Sequence, residues 1–155
     1  MTTYYLVAYG TMLLALSTAT GVIAGFVFYR RQCNTQVFLE YTKRYSEIMN
    51  MFPHDSRRAR LDLSADPPSE SEELTLAVLR YLNLCSEEYY LYENRYLSRD
   101  VWHIWEAELK RTLCSPLVSR EWEKLRNEFL AYPDFLKYVA SAQREGFALG
   151  STPAD

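Results

Sequence analysis

The stretch YYLVAYGTMLLALSTATGVIAGFVFY, Tyr4 to Tyr29, carries no charged side chain, and its reading decides the architecture of the chain. A hydrocarbon core about 30 Å thick needs about 20 apolar residues in a helix that rises about 1.5 Å per residue. The run is longer than that, which leaves room for tilt. A cleaved signal peptide calls for a basic segment ahead of a shorter apolar run. Here the first basic residues, Arg30 and Arg31, come after it. A core helix of this length would be unusual in so small a domain. Residues 1–29 therefore read as a transmembrane anchor, with the lipid bilayer as the first expected partner. Lys and Arg are retained on the cytoplasmic side. The N-terminal tail has neither, whereas Arg30, Arg31, Lys43 and Arg44 follow the run. The expected topology is single-pass, in the inner (plasma) membrane, with the N-terminus outside and the remainder cytoplasmic. Arg30 and Arg31 are then interface charges. Tyr4, Tyr5 and Tyr9 belong near one membrane surface and Tyr29 near the other.

Two features of this region point to membrane chemistry. Ser17, Gly21 and Gly25 recur every fourth residue, a small-residue stripe that lets two helix backbones approach in lipid. A homodimer seam is one reading of it, and the ordinary abundance of small residues in membrane helices is the other. Cys33 stands just past the span, where a cysteine can be acylated or remain a plain thiol. The three cysteines, Cys33, Cys85 and Cys114, match no zinc or redox spacing. Their odd number argues against a secreted disulfide framework.

Beyond the anchor, hydrophobic periodicity is helical throughout. Val37, Phe38, Tyr41, Tyr45, Ile48, Met49 and Phe52 mark one face of a juxtamembrane helix over 30–52 that continues the anchor and ends at Pro53. Residues 53–69 read as a loop. Its cluster Arg57, Arg58 and Arg60 is a candidate contact for anionic lipid heads, worth about 1 kcal/mol per charge at a membrane surface. Ser69 followed by Glu72 reads as a capping box, opening a helix that runs to about Tyr96 with an apolar stripe of Leu74, Val78, Tyr81, Leu82, Cys85, Tyr89, Tyr92 and Tyr96. Another helix opens near Ser98, with Trp102, Ile104, Trp105, Leu109 and Leu113 inward. Ser115-Pro116 is a cap followed by proline at the first helical position, and that helix is expected to reach Ala131. A last helix begins at Pro133 and should stop at Gly146, which leaves 147–155 as a flexible tail. The expected fold class is all-α: one transmembrane helix, then a small antiparallel bundle of four to five helices over 70–146.

The segments VLRYLNLCSEEYYLYENRYLS, VWHIWEAEL, SPLVSREWEKLRNEF and YPDFLKYV, between Val78 and Val139, resemble a bacterial family of uncharacterised proteins with one N-terminal membrane helix and a small cytoplasmic helical domain. The resemblance implies a bacterial inner-membrane setting. It implies no reaction, no cofactor and no catalytic residue.

Little in the chain suggests chemistry. The net charge of -3 lies entirely after the anchor, and a mildly acidic domain suits neither phosphate neutralisation nor nucleic acid. No Gly-rich phosphate loop is present. Asp100, His103 and Glu106 lie three apart on one helix face, and a metal-binding or enzymatic bundle centred on His103 is the alternative reading. Bundle di-metal sites, however, need a Glu-x-x-His on each of two helices, and the chain has none. Glu87, Glu88 and Glu93 are expected on a solvated face, paired with Arg95 or Arg99. The tryptophans and tyrosines are expected to serve as core, with a recognition groove as the competing possibility. A membrane-anchored interaction or scaffold protein, meeting a protein partner or a second copy of itself, is the expectation that remains.

Overall fold

The computed structural model describes the backbone of residues 2–150 and the side chains of residues 4, 5 and 8–145. Residues 151–155 of the expected tail lie outside the described residues. The chain is all-α, with six helices and no strand among the described residues. It divides into two compact units, Met1–Val37 and Phe38–Asp155. This division falls a few residues beyond the expected end of the anchor.

Helix α1 is Thr2–Met51, the expected anchor and juxtamembrane stretch as a single element. By length and composition it can cross a membrane, a property that signal sequences share, and none of its apolar window is buried. Four hydroxyls in its first half bond back to the helix itself. Thr11 donates to the Ala8 carbonyl, Ser17 and Thr18 to that of Leu14, and Thr20 to that of Leu16, all at 2.8–2.9 Å.

The second unit takes in the end of α1 and the remaining helices. The short helix α2, Ser56–Ala59, lies inside what reads in sequence as uninterrupted loop. Helix α3 is Glu72–Glu93, and its cap is Ser71 rather than Ser69. Ser71 is extended and its Oγ accepts from Leu74 N at 3.1 Å. Leu74, not an acid, then sits at the third helical position, so the reciprocal half of a capping box is missing. Glu72 and Glu73 still oppose the positive end of the helix dipole. The chain ahead of it is tied down by Arg120 Nη1 donating to the Pro68 carbonyl at 2.7 Å.

Helix α3 ends at Glu93, not Tyr96. Arg95 takes a left-handed conformation (φ 62°), while Tyr96 N and Leu97 N both donate to the Leu91 carbonyl. The reversal turns Tyr96 out to solvent and buries Leu97. Left-handed closure normally advertises itself with Gly or Asn, so an Arg there gives no sequence signal. Helix α4, Arg99–Leu113, is capped by Ser98, and α5, Pro116–Leu125, by Ser115 with Pro116 in the first turn, both as read from sequence. Helix α5 stops short of Ala131. Residues Arg126–Phe129 tighten into a 3-10 turn, and Pro133 disfavours helical backbone just before it. Helix α6, Pro133–Gly150, runs through Gly146 instead of stopping there. One interior glycine costs a helix only about 1 kcal/mol, and Phe147-Ala148-Leu149 supplies no breaker.

The core of this unit is aromatic. Trp102 is 2% exposed. Tyr92 stacks on it at 4.7 Å, and Tyr89 and Tyr138 meet it edge-on at 5.9 Å. Trp122, Phe129 and Phe135 continue the cluster. Glu121, fully buried, is held by Thr75, Arg120 and Lys124. Burial pushes its carboxyl up, but those three partners together outweigh it and hold the pKa below the usual value.

Candidate functional site

Within the second unit, the last turns of α1 meet α3 and α4 through large side chains. Phe38 and Tyr41 both stack on Trp105, with centroids 5.9 and 5.4 Å apart. Tyr45 meets Tyr81 edge-on at 6.4 Å. Between them lies a cleft of about 210 Å³, whose walls are these rings with Ile104 and Leu109 and whose polar groups include Glu88 and Glu108. Typical ligand pockets hold roughly 300–1,000 Å³, so this one suits a small group.

Three carboxylates and two guanidiniums stand around the cleft. Arg44 grips Glu87 with two bonds, Nη1 to Oε2 at 2.6 Å and Nη2 to Oε1 at 3.1 Å. This pairing, reinforced by the Tyr41 hydroxyl, holds the Glu87 carboxyl below its ordinary pKa despite partial burial. Arg60 Nη1 lies 3.5 Å from Glu108, and its Nη2 donates to the Tyr45 hydroxyl at 2.8 Å. Tyr45 in turn donates to Glu108. Burial and the hydrogen bond to Glu108 push Tyr45 up to about 12, against the opposing pull of Arg60. Both arginines also lie against cleft tyrosines, Arg44 at 5.1 Å from the Tyr41 ring and Arg60 at 5.5 Å from that of Tyr45.

Glu88 is the carboxylate left over. It is 7% exposed, and no hydrogen bond or ion pair reaches its side chain from the described residues. Burial first, then the nearby Glu108, push its pKa up to about 8, with Arg44 opposing. A carboxyl buried without a cation keeps its proton near neutral pH, which is how proteins tolerate such groups.

This arrangement corrects the sequence reading of the acids. Glu88 is not on a solvated face, and Glu87 pairs with Arg44 rather than with Arg95 or Arg99. Glu88 falls seven residues after Tyr81 and three after Cys85, squarely on the apolar stripe of α3. That spacing was the available signal. Of the three tryptophans, Trp102 and Trp122 are core and Trp105 is a half-buried wall of the cleft, so core and groove are both present. Ile104, expected inward, is 62% exposed at the cleft's edge.

The other sequence candidates are dispersed. Arg57 and Arg58 are both exposed and border one surface hollow together with Arg111, with Arg57 also donating to the carbonyls of Phe52 and Asn50, whereas Arg60 is set apart, buried beside Glu108. His103 is largely exposed, and Glu106, at 3.7 Å, is its one ion-pair partner among the described residues. Among the described residues, no group of three or more His, Cys, Asp or Glu side chains could hold a metal ion. Ser17, Gly21, Gly25, Arg30 and Arg31 are exposed, and a Cβ built at Gly21 or Gly25 meets nothing within 4 Å. Cys33 is a half-buried free thiol.

Compared with protein-family models, curated proteins and solved structures, the chain matches none.

Proposed function

We propose that this is a single-pass protein of a bacterial inner membrane, with its N-terminus outside and a cytoplasmic helical domain that works as a binding module rather than as an enzyme. The carrying observation is the head of α1: a long uncharged stretch, unburied by the rest of the chain. In lipid, each backbone and hydroxyl group must find a partner inside the helix, and the bonds of Thr11, Ser17, Thr18 and Thr20 to earlier carbonyls meet that demand. The basic residues after the stretch, with none before it, support the orientation. The binding role is supported by the open aromatic cleft.

Alkaline carbonate extraction of untagged full-length protein from vesicles, together with a periplasmic-activity reporter fused to the C-terminus, tests the proposal. Retention in the pellet and a silent reporter are expected. Release into the supernatant, or an active reporter, overturns it. Self-association through Ser17, Gly21 and Gly25 is separately testable. The open space at both glycines lets Gly21→Leu and Gly25→Leu stand without a clash inside one chain. Loss of crosslinked dimer in the double variant supports a seam, and an unchanged dimer population rejects it.

A further inference from the structure

We infer that the cleft between the end of α1, α3 and α4 is a receptor site for an organic ammonium group, caged by Tyr41, Tyr45 and Trp105 and neutralised by Glu88. The inference rests on reading the domain as a binding module and extends it by naming the ligand chemistry.

Three observations converge. The first is charge. Glu87 is matched by Arg44 and Glu108 by Arg60, while Glu88 has no cation. Were Glu88 ionised, the group would be one positive charge short, and the deficit would sit on the most deeply buried of the three acids. The second is the wall. Electron-rich ring faces attract ammonium groups, more strongly when desolvated, and this cleft is built of such rings. The chain itself already sets two guanidiniums against two of them. The third is size. A volume of about 210 Å³ admits an ammonium with its methyl or methylene substituents. The apolar lining favours a substituted ammonium over a bare hydrated ion.

The empty and filled states differ by a proton. The empty cleft keeps Glu88 protonated. A cation entering favours the carboxylate, so the carboxyl proton leaves to solvent as the ligand binds. The surrounding groups are Tyr41, Arg44, Tyr45 and Arg60, then Tyr81, Cys85 and Glu87 on α3, then Glu108 on α4. Burial raises Tyr41, Tyr81 and Cys85, and Arg44 lowers Glu87. Those shifts all lead away from neutrality. Glu88, at about 8, is left to set the response between pH 6 and 9.

Calorimetric titration of the full-length protein in maltoside micelles tests this. The probes are choline, whose charge is permanent, its uncharged carbon isostere 3,3-dimethylbutan-1-ol, and N-acetyl-lysine methylamide. Choline should bind at least tenfold more tightly than the alcohol. Its affinity should rise about tenfold per pH unit below 8 and level off above, while that of the alcohol stays flat. Glu88→Gln, which copies the protonated acid and should fold normally, is expected to bring choline down to the level of the alcohol and remove the pH dependence. Trp105→Leu should weaken choline more than the alcohol. A preference for capped lysine over choline points to a partner protein's lysine, and the reverse to a free quaternary amine. If neither cation exceeds the alcohol, or Glu88→Gln keeps the affinity of the wild type, the inference is overturned. Extraction and topology assays read anchoring alone, so either result can fail without the other.

Discussion

Replacing Glu88 by Gln should make the protein more stable at neutral pH and leave it unchanged in acid. In the unfolded chain the carboxyl titrates near its model value of 4.5, and in the folded chain near 8. The folded state therefore binds the proton more tightly. The protonated carboxyl's contribution is fully present below about pH 4.5 and is lost as pH rises through about 8. One pH unit is worth about 1.4 kcal/mol for a single group. Moving from pH 4.5 to pH 7 should thus cost the wild type about 3 kcal/mol, a ceiling because the group keeps slight solvent contact. Gln carries no proton to lose and pays none of this. The difference between variant and wild type should be near zero below about pH 4, reach about 1 kcal/mol at pH 5 and about 2–3 kcal/mol at pH 7, and flatten above pH 8. Urea unfolding of the full-length protein in micelles, followed by tryptophan emission, measures it cleanly, since Trp102, Trp105 and Trp122 all lie in the second unit. A difference that stays constant from pH 5 to 8.5 would refute the reasoning.

Other perturbations follow from the same contacts. Trp102→Ala should cost about 3–5 kcal/mol, read from the shift in urea midpoint, because Tyr89, Tyr92 and Tyr138 all pack on that ring. Tyr138→Phe should be neutral or stabilising by about 1–2 kcal/mol, since the buried hydroxyl has no hydrogen-bond partner among the described residues; a loss of 2 kcal/mol would contradict it. Arg95→Gly should raise the thermal midpoint, with a gain of about 1 kcal/mol from relieving left-handed backbone. Glu121 acts in the opposite sense to Glu88. Its folded pKa is depressed, so its contribution is present above about pH 4.5 and fades as pH falls through the folded value. Glu121→Gln should therefore flatten the acid limb of the stability profile.

How much of this was legible in the sequence depends on which physical signal each element carries. The uncharged run of α1 and the caps Ser98 and Ser115 are local, and the structure has them where the residues say. The end of α3 was not legible because its left-handed residue is an Arg. The choice of Ser71 over Ser69 depends on which register buries Leu74, Ala77 and Val78, a tertiary matter. The cleft was the least visible part. Glu87 and Glu88 read as solvated because acids usually are, and the pairing of Glu87 with Arg44 and of Glu108 with Arg60 spans dozens of residues. Only the position of Glu88 on an apolar stripe gave it away.

The closure after α3 also has a kinetic side. Residues 94–98 alone join α3 to α4, and the Asn94 side chain locks onto the Tyr90 carbonyl at 2.9 Å. So short a connection costs little closure entropy, and Tyr92 finds Trp102 as soon as the two helices come together. This hairpin is the natural place for folding to begin.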